Sequence, residues 1–131
     1  MSIQVELSGL REAIEAYERA PYFLTVGDDG RPHSVQIEWS WRDEELELSV
    51  GNRTAENARA RTRVALVWPP NELGGYSLIV DGDVTHTALR VDEAGDNVVR
   101  MQPTRAVFHR PATRPAAEGC GADCVPILRQ S

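Results

Sequence analysis

From His33 to Trp41 polar and apolar side chains alternate without a break. Val35, Ile37, Trp39 and Trp41 fall on one side, and Ser34, Gln36, Glu38 and Ser40 on the other. This is the period of a half-buried strand. The same alternation returns in Leu46-Glu47-Leu48-Ser49-Val50, with Arg42-Asp43-Glu44-Glu45 as the turn between. Upstream, Tyr22 to Gly27 reads as a strand. Asp28-Asp29-Gly30 reads as a tight turn because glycine in third place suits a hairpin, and Pro32 opens the next strand. Before these strands the period changes. Leu10, Ala13, Ile14 and Tyr17 lie at i, i+3, i+4 and i+7, which predicts an amphipathic helix with Ser8 as N-cap and Pro21 as its stop.

The second half is also strand-rich. Val64-Ala65-Leu66-Val67-Trp68 is a continuous apolar run ended by Pro69-Pro70, as expected of a strand buried on both faces. After a loop over Asn71-Glu72-Leu73-Gly74-Gly75, a strand runs from Tyr76 to Val80. It is broken by a bulge or turn at Asp81-Gly82-Asp83 and continues over Val84 to His86. Asp92 to Asp96 reads as a loop. Val98 to Met101 and Arg105 to His109 read as two further strands separated by Pro103. Six or seven short strands with one or two helices predict a mainly β chain, a small antiparallel barrel or sandwich over residues 1–111, followed by an irregular tail over 112–131. There is no internal repeat.

Between the third strand and the fourth lies Gly51-Asn52-Arg53-Thr54-Ala55-Glu56-Asn57. Ala55 to Arg63 lacks Gly and Pro and is rich in Ala and Arg, which predicts a short helix. Gly51 is read as the sharp turn and Asn52 as the N-cap. A helix start leaves its first amides free with a partial positive charge behind them. Arg53 adds a fork of donors and Thr54 a hydroxyl, so the stretch can cradle a phosphate. An ordinary capped helix with a solvated Arg accounts for the same residues, and such turns are common.

Composition narrows the partners. The 131 residues carry a net charge of −6, which argues against nucleic-acid binding by bulk electrostatics. An anionic ligand must therefore be held locally, and Arg53, Arg59, Arg61 and Arg63 form the one suitable basic cluster in the first hundred residues. No apolar run approaches the roughly 18 residues of a membrane span, and the N-terminus lacks the signal-peptide pattern, so a cytoplasmic location is expected.

The order of parts resembles the flavin-binding split-barrel superfamily related to pyridoxamine 5'-phosphate oxidase. The resemblance is carried by Tyr22 to His33, the strand ending in Trp39, Leu46 to Val50, the cradle with Asn57, and Arg63 to Val67, and it spans roughly Leu10 to Phe108. It implies a split β-barrel that forms a homodimer and binds FMN in the cleft between subunits to oxidise or reduce a small molecule. It also implies which residues touch the cofactor. The phosphate would meet Arg53 and Thr54, supported by Asn57; the ring would lie along Gln36, Ile37, Glu38, Ser49 and Val50. Where the family often has a lysine in the cradle, this chain has Thr54, which brings a hydroxyl and no charge, and Glu56 lies close by. The same superfamily includes enzymes of the deazaflavin coenzyme and haem-binding relatives, for which His33 or His109 would be the axial candidates. A non-catalytic or stress-related barrel is a further alternative. Pyridoxamine 5'-phosphate itself is not the expected substrate, because the tail has Arg114 and Arg129 but no Trp.

No Ser-His-Asp or Cys-His arrangement stands out, and no catalytic acid or base is assigned. A cofactor that carries the chemistry needs none. His33 and His86 read as structural or surface residues, and His109 as a strand end. Trp39 and Trp41 read as core or dimer interface, and Trp68, ahead of two prolines, as the mouth of a pocket. No metal site is expected. Cys120 and Cys124 read as two free thiols in the tail, with a disulfide, a metal site or a redox pair as the alternatives.

Overall fold

The computed structural model describes residues 1–90 and 96–112. All but Asp96 of the loop read over Asp92 to Asp96, and the tail thiols Cys120 and Cys124, lie outside the described residues. The elements in chain order are β1 (Ser2–Val5), a 3-10 turn (Leu7–Gly9), α1 (Leu10–Glu15), β2 (Tyr22–Val26), β3 (Pro32–Gln36), β4 (Glu38–Arg42), β5 (Glu45–Val50), α2 (Asn52–Ala60), β6 (Arg63–Trp68), β7 (Ser77–Ala88) and β8 (Asn97–His109). All strands pair antiparallel in one sheet of order β3-β2-β6-β7-β8-β5-β4, with β1 also on β8.

The two ends of that order, β3 and β4, are consecutive in the chain and are separated only by Ile37. The alternation predicted one strand here, and it does persist: Val35, Ile37, Trp39 and Trp41 turn inward while Ser34, Gln36, Glu38 and Ser40 face out. What changes at Ile37 is the partner. Residues up to Gln36 pair with β2, and residues from Glu38 pair with β5. The Ile37 amide leaves the ladder and donates to the Pro21 carbonyl at 3.1 Å. One run of chain thus joins both ends of the sheet and curls it back on itself, while β3 and β4 each keep a single pairing partner.

The interior holds Phe23, Leu46, Leu48, Leu66, Trp68, Leu78, Val80, Val99 and Met101, with Leu10 and Ile14 of α1 and Ala55 and Ala58 of α2 packed against them. Trp68 is 1% exposed and meets Trp39 edge-on at 5.7 Å, so it belongs to the core and not to a pocket mouth. Trp39 and Trp41 meet edge-on at 5.8 Å. Ser8 is not a helix cap. It sits in the 3-10 turn, and α1 starts after Gly9 without a side-chain cap and ends at Glu15. Beyond the helix, the Tyr17 hydroxyl donates to the Tyr76 carbonyl at 2.8 Å, and burial raises the phenol above its ordinary pKa.

The two strands expected on either side of Pro103 are one strand, β8. Gly82 of β7 faces Pro103, and the register shifts between Asp81 and Gly82. The irregularity expected at Asp81-Gly82-Asp83 is present as a register shift, but the extra residue is Thr104 of β8, which faces no β7 partner; the bulge lets a proline, which has no amide to donate, remain inside a long pairing. The Asp28-Asp29-Gly30 turn also forms, with Gly30 at φ +81°.

Candidate functional site

The ring of residues around the Ile37 break meets the start of α2 in a cleft of about 460 Å³. Gln36, Ile37, Glu38, Ser49, Val50 and Thr54 all line it. The register explains the convergence, since Glu38 pairs with Ser49 where β4 begins and β5 ends. Three further lining residues carried no local signal: Ala20, Val35 and Asp96, with Gly51 completing the wall. Ala20 and Asp96 come from chain segments far from the others in sequence, and Val35 from the inward face of β3.

The sequence predicts a positive-φ turn at Gly51 with Asn52 as the cap. Instead Gly51 is itself the N-cap, at φ −77° and ψ 178°, an extended backbone open to any residue. Asn52 is the first helical residue, and its Oδ1 accepts from Asn97 Nδ2 at 3.0 Å. Asn97 is 1% exposed and also bonds the Val50 carbonyl at 3.3 Å, which fixes the strand end to the helix start. No side chain caps α2, and its first ladder bond is Ala55 N–H to the Gly51 carbonyl at 3.0 Å. The amides of Asn52, Arg53 and Thr54 therefore lie ahead of the ladder. A Cβ on Gly51 would meet no atom within 4 Å. Thr54 is 4% exposed, and among the described residues its hydroxyl has no hydrogen-bond partner.

Arg53 and Asn57 are not among the lining residues. Arg53 is exposed and makes no ion pair or hydrogen bond among the described residues. Asn57 is 6% exposed and donates through Nδ2 to Thr25 Oγ1 at 3.2 Å, pinning α2 to β2. Its role here is internal. Asn57→Ala should cost about 1–2 kcal/mol in denaturant unfolding, because buried Thr25 loses its donor. The basic cluster does not converge on the cleft either. Arg61 bonds the Val26 carbonyl and pairs with Asp28 at 2.8 Å, clamping the β2–β3 turn, and Arg63 lines a separate hollow with Asp81 and Asp83.

The lining of the cleft thus mixes polar and apolar side chains. Ile37, Val50 and Val35 offer flat apolar contact. Gln36 Nε2 is spent on the Ala20 carbonyl at 3.1 Å, and its oxygen stays an open acceptor among the described residues. Ser49 Oγ lies 3.5 Å from Asp96 Oδ2. Glu38 and Asp96 are the charged lining residues. His33 is half-buried on β3 opposite Thr25, with Nδ1 buried and unpartnered; His109 bonds Ser2 Oγ at 2.9 Å; neither lines the cleft. Among the described residues no three His, Cys, Asp or Glu side chains gather as metal ligands, and no helix is long and apolar enough to cross a membrane.

No protein-family model matches the chain. A curated relative, the uncharacterized protein Mb0449c of Mycobacterium bovis, is 36% identical over 140 residues, covering 93% of this chain and 94% of the relative. Among solved structures, an F420 reductase superposes with a TM-score of 0.61 at 18% identity, covering 72% of this chain and 94% of that one. A putative pyridoxamine 5'-phosphate oxidase from Listeria innocua superposes at 0.60 and 17%, covering 79% and 98%. The heme storage protein HutZ of Vibrio cholerae superposes at 0.58 and 15%, covering 79% and 94%. The chain therefore belongs to the family of the mycobacterial protein Mb0449c, and its fold is the split barrel of the pyridoxamine 5'-phosphate oxidase-related, FMN-binding proteins.

Proposed function

We propose that the protein is an FMN-dependent oxidoreductase acting on a small molecule, with the flavin held in the cleft around Ile37. The observation that carries this reading is the start of α2. Three amides precede the helical ladder, Thr54 on the same turn offers an unpartnered hydroxyl from a largely buried side chain, and Gly51 leaves open space where a side chain would stand. That is the donor set for a terminal phosphate, and the exposed Arg53 on the same turn supplies the positive charge. The flavin ring would then lie on Ile37 and Val50, with the Gln36 oxygen, Ser49 and Glu38 as partners for its polar edge. A cleft of this volume lies within the range of small-molecule sites. When bound, the flavin supplies the hydride or electron transfer; these residues bind and orient it.

The flavin site is expected to be completed by a second copy. The outward side of β2 carries Tyr22, Leu24 and Val26, and Tyr22 and Leu24 stand in register with Val67 and Ala65 of β6. Tyr22 and Val26 are 40% and 36% exposed, an apolar face suited to another protomer.

The deazaflavin coenzyme, which an F420 reductase of this fold uses by name, is the second reading. Its larger tail calls for a more basic groove, whereas the charged lining here is acidic. Haem is the third, and no imidazole lines the cleft to serve as its axial ligand. A non-catalytic or stress-related barrel is the fourth reading, and it would show no turnover whether or not it bound a cofactor.

The test is gel filtration of the protein mixed with FMN, followed by a visible spectrum. Flavin bands should travel with protein at dimer mass, and Arg53→Ala should weaken binding about tenfold, the loss of one charge-assisted contact, while unfolding free energy changes by less than about 0.5 kcal/mol. A colourless protein peak, or an Arg53→Ala variant with unchanged affinity, sinks the assignment.

A further inference from the structure

Glu38 and Ser49 pair at the cleft end of the β4–β5 hairpin, and Trp41 and Leu46 near its other end. Three residues of strand, about 10 Å, separate Glu38 from Trp41. There a second cavity of about 410 Å³ opens, with Leu7, Leu10, Arg11, Trp41, Glu44 and Pro103 in its wall. Two features of that wall are unexplained by the fold. The Trp41 indole Nε1–H is buried and has no acceptor among the described residues, and an orphaned buried donor is rare enough to require a reason. The Arg11 guanidinium lies over the same indole, 4.1 Å from the ring centroid, and Nη2 donates to the Asp43 carbonyl at 3.0 Å. Asp43 takes a left-handed backbone at φ +55° in presenting that carbonyl. Among the described residues Arg11 has no carboxylate partner, although Glu44 shares the wall.

We propose that this cavity is a second binding site, for a small monocarboxylic acid with a flat apolar body. The carboxylate accepts from the Arg11 fork and from Trp41 Nε1–H, which leaves neither donor unsatisfied. The body rests on Leu7, Leu10 and Pro103. Glu44 in the same wall disfavours a second negative charge on the ligand. The indole N–H is screened from solvent, so binding opens the wall at Trp41 and turns the guanidinium above the ring toward the same carboxylate. Arg11 is exposed and tied by one hydrogen bond, which leaves it free to make that move. The site is independent of the flavin reading, since none of these residues lines the cleft.

The experiment is a titration of the full-length 15N-labelled protein with benzoate, following the indole N–H resonances of its three tryptophans, assigned with Trp41→Phe. The Trp41 resonance should move and saturate while that of Trp68, sealed in the core, stays in place. Arg11→Gln should raise the benzoate Kd at least tenfold, and benzamide, with the same ring and no charge, should bind at least tenfold more weakly than benzoate. A Trp41 resonance that does not move at millimolar benzoate overturns the proposal. So does an unchanged Kd in Arg11→Gln, or benzamide binding as well as benzoate.

Discussion

A Gly51→Asp variant should fold at least as stably as the parent and lose FMN. Gly51 is the N-cap of α2 in an extended conformation that aspartate adopts without strain, and a Cβ there meets no atom within 4 Å. Aspartate is a better N-cap than glycine, and its charge lies favourably at the positive end of the helix. Unfolding free energy measured without FMN should rise by up to about 1 kcal/mol. The same carboxylate would occupy the amides of Arg53 and Thr54 and place a negative charge where the phosphate is to sit. FMN affinity should then fall at least about 100-fold, on the order of 2.7 kcal/mol. Few sites in the chain are expected to separate stability from binding in this way. Unchanged FMN affinity would remove the phosphate from this turn. A collapse in stability would mean that Gly51 is there for the fold, contrary to its geometry.

The second large effect is expected at Gly82→Ala. Here the glycine is required by space and not by φ. A Cβ would strike Met101 Cε, and would come to 2.7 Å from the Gln102 carbonyl oxygen and 2.8 Å from Met101 Cγ. Met101 is flexible, but the Gln102 carbonyl is backbone in the partner strand, so β7 and β8 must part at the bulge that accommodates Pro103. Overpacking of this kind should cost roughly 3 kcal/mol, or a fall in Tm on the order of 10 °C for a chain of this size. Gly9→Ala is the control: nothing lies within 4 Å of its Cβ, and its effect should stay under about 0.5 kcal/mol. A Gly82→Ala variant that melts within about 3 °C of the parent would show that the two strands separate there at little cost.

Both positions carry a glycine that is indistinguishable in sequence. The sites differ because one faces an opening and the other faces a neighbouring strand, and that is settled by which segments pair. The same division runs through the molecule. Alternation over His33 to Trp41 depends only on the two-residue period of a strand, so the inward and outward sets were legible residue by residue and the structure keeps them. Six of the eight residues expected around the cofactor line one cleft for a related reason: β4, β5 and the start of α2 are close in sequence, and the hairpin register brings them together.

What the chain alone could not give depends on distant contacts. The exchange of partners at Ile37 needs Pro21 to receive its amide, and the continuity of β8 through Pro103 needs the register shift at Thr104 and a glycine, Gly82, to face the proline. The arginines look like one cluster in sequence, yet Arg61 is turned away by Asp28, and Arg63 into another hollow. Asn57 reads in sequence as a support for the cradle, and only the fold shows that its amide goes to Thr25. The sequence by itself determined the strands, their two faces and the position of the helix start, because these follow from local periodicity and backbone chemistry. Only the tertiary structure decided which donors remain unspent in the cleft, because a side chain is free to bind a ligand only if no distant part of the chain has already bound it.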